Sequence, residues 1–231
     1  MSNIYGIIFK DGKAVKVEEL NNIHHSLNYW KPDSENQLIH ENLGFGYLNL
    51  YTTPESRFEV LPFYDQNANL IINADARIDN REELINKLKI TKVKKIITDS
   101  QLILEAYKKY DINCPAYLVG AFSFAIWDIF KQQLFCARDH IGFKPFYYYN
   151  DSRRFIFASE IRGIKANNEI TFNINETFIF DALASLRSEK DQTFYKEIHR
   201  LPPAHYMLVS KDQFRITRYW KLDPTRKIKY F

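Results

Sequence analysis

Hydrophobic positions along the chain fall into short runs rather than long helical stripes. Near the N-terminus Ile4, Gly6 and Ile8 alternate with Tyr5, Ile7 and Phe9, which predicts a strand. Asp11-Gly12 behind it reads as a hairpin turn. A polar helix is predicted from about Val17 to Leu27, and NYWKPDSENQ, residues 28–37, reads as a loop broken by Pro32. Three β-prone runs follow, Leu43 to Tyr51, Phe58 to Tyr64 and Leu70 to Asn73, with Asn67 in a turn between the last two. Asn80 and Glu83 have the spacing of a capping box and open a helix to about Leu88. Thr98-Asp99-Ser100-Gln101 opens another, whose apolar face is Leu102, Ile103, Ala106 and Tyr107 and which residues 111–115 end.

The middle of the chain is the most apolar part. Ala121 to Ile129 is nearly continuous, as expected of a strand covered on both faces. Gln133 to Ala137, Phe146 to Tyr149 and Phe155 to Ala158 look like its antiparallel partners. A helix from Glu176 to Leu186, capped by Asn175, and strands from Ala204 to Val209 and Phe214 to Arg218 complete the pattern. Many strands with a few interposed helices predict an α+β fold, its sheets sandwiched between helical layers.

Composition narrows the function classes. The 231 residues are 45% hydrophobic and 26% charged, which excludes a disordered chain and allows one well-cored domain or two small ones. A formal charge of +4 is too small a surplus to argue for nucleic acid, and the 18 Phe, 15 Tyr and 3 Trp sit in strand-periodic runs with no basic stripe between them. No apolar run approaches the roughly 18 residues of a membrane helix. No secretory signal is visible, and Cys114 and Cys136 lack metal-ligand spacing. A cytoplasmic protein with free thiols and no metal is the expectation.

Three places offer chemistry. A small residue at position 2 favours removal of Met1, which would leave Ser2 as an N-terminal hydroxyl beside its own amine, a group with a reference pKa of about 7.7–8.0 that can act as base. Serine is also simply common at that position. Asn73-Ala74-Asp75 at a strand end could supply oxyanion donors or only turn hydrogen bonds, and Asp99 could bind an ammonium or only cap a helix. Arg138, Asp139, Lys144 and Glu160 read as an ion-pair network holding a loop between strands, because charges inside so apolar a sequence need partners.

Together these segments resemble the N-terminal glutaminase-type domain of the asparagine synthetase family. Its pattern G-x-F-x-F-x-I-W-D … L-F-x-A-R-D-x-x-G-x-K-P-x-Y-Y … F-A-S-E-I runs here from Gly120 to Ile161, and RLPPAHYMLV (200–209) and RYWKLDP (218–224) match the end of that domain. The resemblance implies a class II glutamine amidotransferase with a four-layer αββα N-terminal nucleophile (Ntn) sandwich of antiparallel sheets. It implies Ser2 at the nucleophile position, Asn73 and Ala74 as oxyanion donors, and Asp75 and Asp99 as ligands of the substrate amine. Where working glutaminases of the family begin Cys-Gly-Ile, this chain has Ser2-Asn3-Ile4, and Tyr47 falls where the family's glutamine-binding Arg stands.

Loss of thiol and guanidinium together implies a retained scaffold with decayed glutamine hydrolysis; the alternative is a working glutaminase with Ser2 as nucleophile. ADARIDNREEL resembles the lactam-forming branch that includes lasso-peptide cyclases. The domain is expected over residues 1–215, with 216–231 as the start of a linker to an ATP-binding synthetase domain. The Ser-Gly-Gly-x-Asp-Ser loop of that domain does not occur in these 231 residues. ATP and Mg are thus expected only with that partner, glutamine only if the site works, and a homodimer is a further candidate arrangement.

Overall fold

The computed structural model describes residues 2–90, 96–186 and 191–225. Two antiparallel six-stranded sheets lie face to face between layers of helix, the αββα sandwich of the N-terminal nucleophile fold. The first sheet is built from β1 (Asn3–Phe9), β2 (Ser34–His40), β3 (Leu43–Asn49), and three later strands that must be placed by their numbers in the chain. The second contains β4 (Phe63–Asp65), β5 (Leu70–Ile78), β6 (Gly120–Asp128) and β7 (Gln133–Arg138). The chain then returns to the first sheet with β8 (Tyr147–Asn150), β9 (Arg154–Ala158) and β10 (His199–Arg200), and ends in the second with β11 (His205–Val209) and β12 (Phe214–Arg218). The sheet orders are β10-β8-β9-β1-β3-β2 and β12-β11-β7-β6-β5-β4.

Helices α1 (Val17–Leu27) and α4 (Ile161–Lys165) cover the first sheet, and α2 (Arg81–Leu88) and α3 (Asp99–Tyr110) cover the second. α5 (Glu176–Leu183) carries no buried residue. The double cover explains the continuous apolar runs. All seven residues of β1 are buried: Tyr5, Ile7 and Phe9 join Leu20, Ile23 and Leu27 of α1 in one cluster, while Ile4 and Ile8 belong to the larger cluster between the sheets. In the second sheet Phe124 and Phe135 pack together and Phe135 stacks on Tyr107 of α3, with centroids 5.2 Å apart.

Several expectations change. β2 lies inside the segment read partly as loop; it is an edge strand whose side chains are half exposed, so its polar sequence carries no strand alternation. Asp11-Gly12 turns the chain into α1 rather than into a hairpin. The run Phe58 to Tyr64 divides into a 3-10 turn, Glu55–Phe58, and the short β4. β8 and β9 pair with each other and with β10 and β1, not with β6, because residues 139–146 carry the chain across to the other sheet. Asn80 does not cap α2 through its side chain: Oδ1 accepts from Val119 N–H and Nδ2 donates to the Tyr117 carbonyl and Glu83.

Other expectations hold. Thr98 and Gln101 form a reciprocal capping box on α3, and Asn175 caps α5 by accepting from Phe178 N–H at 3.2 Å. α5 ends at Leu183. The second sheet runs through residue 215, where the linker was expected to begin: β12 pairs with β11, and the Tyr219 hydroxyl donates to the Arg138 carbonyl at 2.7 Å. Residues 226–231 of that expected linker lie outside the described residues. No helix among the described residues is long and apolar enough to cross a membrane.

One close approach fixes the inner sheet. A Cβ on Gly46 would lie 2.0 Å from the Tyr5 ring, whose hydroxyl bonds His24 Nδ1 at 2.7 Å. Gly46→Ala is expected to lower stability by about 1–3 kcal/mol through overpacking, read as a lower urea midpoint with an unchanged slope; a midpoint equal to wild type would refute this packing.

Candidate active site

The two sheets bring the sequence-predicted residues to one region, the mouth between β1, β3 and β5. Ser2 immediately precedes β1 and is 6% exposed. Its Oγ donates to Asn49 Oδ1 at 3.2 Å and accepts from Leu50 N–H at 3.0 Å. Tyr47 stands on β3, two residues before Asn49 and on the same face; its hydroxyl donates to the same Asn49 oxygen at 2.9 Å. The other end of the Asn49 amide donates to the Ser56 carbonyl at 3.0 Å. One buried neutral carboxamide therefore receives both hydroxyl protons.

Burial pushes the Tyr47 hydroxyl far above its ordinary range; the Ser2 hydroxyl opposes this, while the Asp75, Glu59 and Asp99 carboxylates add to it. The surroundings of Tyr47 are thus acidic, where an incoming carboxylate would need a cation.

Asn73 points from β5 toward the first sheet. Its Nδ2 donates to the Gly46 carbonyl at 2.8 Å and the Tyr5 carbonyl at 3.3 Å, so both amide hydrogens tie the sheets together. Ala74 differs. β5 has β6 along its full length but β4 only as far as Ile72, and the Ile78 N–H turns away from β6 to Asp99 at 3.2 Å. Strand alternation turns the Ala74 N–H to that same open edge.

Asp75 is held by Lys144, Nζ to Oδ1 2.6 Å, with both side chains nearly closed off from solvent. Burial raises the Asp75 carboxyl and the Lys144 ammonium opposes that. Asp99 is the first residue of α3 and pairs with Arg81. Burial pushes it up to about 6 against the Arg81 charge. Glu59 accepts from Ser100 N–H at 3.0 Å and from the Ser100 hydroxyl, and burial raises it as well.

The expected network of Arg138, Asp139, Lys144 and Glu160 forms differently. Arg138 donates to the carbonyls of Lys144, Gly142 and Leu201, and Asp139 accepts from the N–H groups of Ile141, Phe143, Lys144 and Phe122. These two charges brace the loop through the main chain, and Lys144 alone makes an ion pair, with Asp75. Glu160 stands apart from them: it accepts from Asn3 Nδ2 at 2.9 Å and from the Tyr29 hydroxyl at 3.3 Å.

Sequence reading missed Asn49, Glu59, Ser100 and Arg81. Asn49 carried a usable signal, a polar residue closing the apolar run of β3. Glu59 and Ser100 meet only through the fold, 41 residues apart.

Residues 1–220 match a family described as the glutamine amidotransferase domain. The chain belongs to that family. It is 31% identical over 250 residues to a Methanocaldococcus jannaschii protein assigned as a glutamine-hydrolyzing asparagine synthetase, covering 99% of this chain and 48% of that protein. It is 35% identical over 127 residues to asparagine synthetase 3 of Bacillus subtilis, covering 54% of this chain and 21% of that one. The chain thus spans about half the length, or less, of these curated relatives. The solved Bacillus subtilis glutamine phosphoribosylpyrophosphate amidotransferase superposes with a TM-score of 0.64 at 14% identity, over 94% of this chain and 49% of that one, which shows a shared fold.

Two outcomes test the geometry of this glutamine amidotransferase domain. Asn49→Ala strands two buried hydroxyl protons, at about 1–3 kcal/mol each, and thermal unfolding should show a loss larger than that of Tyr47→Phe; an equal or smaller loss contradicts the shared acceptor. Asp99 ionises in the folded state at about 6, above its ordinary value of 3.8. The folded state therefore binds the extra proton between these values, and stability from this group falls as pH rises from about 4 to 6. Asp99→Asn should remove that slope when its urea stability is subtracted from wild type across the window, and a difference independent of pH contradicts it.

Proposed function

We propose that this domain belongs to an asparagine synthetase-like, ATP-dependent amide ligase and serves it as a scaffold, with glutamine hydrolysis decayed. The observation that carries the reading is the Ser2 hydroxyl, whose proton is donated to the neutral Asn49 amide and whose oxygen is already engaged by Leu50 N–H. A nucleophilic serine needs a base at its proton and a free lone pair for attack. Three further features support it. Tyr47 with three carboxylates nearby replaces the cation a glutamine carboxylate requires. Asn73 spends both amide hydrogens on strand carbonyls. Asp75 and Asp99 each have a cation of this chain beside them.

In this reading the carboxylate to be amidated is activated by ATP with Mg on the second half of the ligase, and the partner of this domain is that half. An amine already on the substrate would make ammonia from glutamine unnecessary, consistent with the resemblance of residues 74–84 to lactam-forming members.

The test is an assay of glutamate and ammonia from glutamine, using purified chain freed of Met1. Wild type and Ser2→Cys should both show no release above a Ser2→Ala control. Glutamine affinity should lie at least about tenfold below that of Tyr47→Arg, since a charge-assisted contact contributes about 1.5–3 kcal/mol. Glutamate release by wild type that Ser2→Ala abolishes would overturn the scaffold reading in favour of a serine glutaminase.

A further inference from the structure

At Asp75, where a ligand ammonium was expected, the structure holds an ammonium of its own. Lys144 Nζ lies 2.6 Å from Asp75 Oδ1, both side chains are about nine-tenths buried, and the loop that delivers the lysine is built for the purpose. Asp139 accepts from the N–H groups of Ile141, Phe143 and Lys144, and Arg138 donates to the carbonyls of Gly142 and Lys144, each at 2.6 Å. Gly142 turns the loop at φ +74, where a Cβ would lie 2.8 Å from Pro203 and 3.0 Å from the Arg138 guanidinium. The second Asp75 oxygen has no hydrogen-bond partner among the described residues, nor does the hydroxyl of Ser123, its cross-strand neighbour on β6. The pair therefore lines a polar recess rather than a closed core contact.

We propose that Lys144 is a tethered ligand: its ammonium occupies the amine subsite at Asp75, excluding primary amines from the pocket, and its removal leaves a site for a short primary alkylammonium. This rests on the scaffold reading of the same pocket. It accounts for two facts at once. The Asp75 charge is neutralised from within, so a free amine gains little attraction there. The brace of Arg138 and Asp139, made almost wholly through main-chain groups, acts on no residue's charge but fixes where Lys144 points.

Lys144→Ala keeps Cβ and deletes three carbons and the nitrogen, the size of n-propylammonium. Thermal unfolding is compared in n-propylammonium, methylammonium, tetramethylammonium and sodium chlorides at equal ionic strength. The variant should melt below wild type and regain stability saturably, as mass action on a folded-state site requires. n-Propylammonium should act at the lowest concentration, tetramethylammonium no better than sodium, and wild type should not respond.

A variant indifferent to n-propylammonium, or raised equally by tetramethylammonium, overturns the proposal, as does a wild type stabilised as strongly as the variant. If Lys144→Ala does not fold alone, refolding yield is the readout: recovery in n-propylammonium supports the proposal and failure in every amine overturns it. Glutamate release in the earlier assay would defeat the scaffold reading and leave the rescue standing, whereas failed rescue with a silent glutaminase would defeat only the tethered ligand.

Discussion

A buried hydroxyl gives its proton to a neutral amide: Ser2 to Asn49, with Tyr47 beside it on the same oxygen. That shared acceptor governs the rest of the pocket. An amide oxygen accepts two hydrogen bonds well but takes up no proton near neutral pH, so Asn49 orders Ser2 without activating it. The same bonds join the first residues of β1 to the end of β3, which makes the pocket wall part of the sheet. The site's geometry and the stability of the first sheet consequently share one set of contacts, and neither changes without the other.

Electrostatics around this knot follow the same economy. Each carboxylate that faces the pocket is met by a group of this chain: Lys144 at Asp75, Arg81 at Asp99, and the first turn of α3 at Glu59. Buried charges need such partners, since an unpaired one costs several kcal/mol. A pocket satisfied internally holds little field for a zwitterionic ligand. The Ala74 N–H, turned to the open edge of β5, is the one oxyanion donor that stays available, which shows how incompletely the amidotransferase machinery has been dismantled in this reading.

Much of the fold was legible because both sheets are covered on both faces. Double cover makes strands continuously apolar, and β1 and β6 announce themselves. What failed to show is what burial does not mark. β2 is polar because its side chains stay half exposed at a sheet edge, so the ladder to β3, not side-chain burial, holds it. The crossing of residues 139–146 between sheets is invisible to alternation, which tells a strand's faces but not its neighbours. Asn80 could be read as a cap from spacing alone, yet its hydrogen bonds go to Tyr117 and Val119, 37 and 39 residues on.

The candidate site divides along the same line. Ser2, Tyr47, Asn73, Asp75 and Asp99 were accessible from motifs, and the structure gathers them around one mouth. Their bonding state was not accessible, because Asn49, Arg81 and Lys144 reach them only through tertiary contacts. The most direct measurement is a crystal structure of the Met1-processed chain grown with glutamine in excess. The account predicts an empty pocket with the Ser2 hydroxyl still on Asn49 and the Lys144 ammonium on Asp75. Glutamine lodged between β1 and β5, its amide carbon within attacking reach of the Ser2 oxygen and its acid end held by a cation, would contradict it.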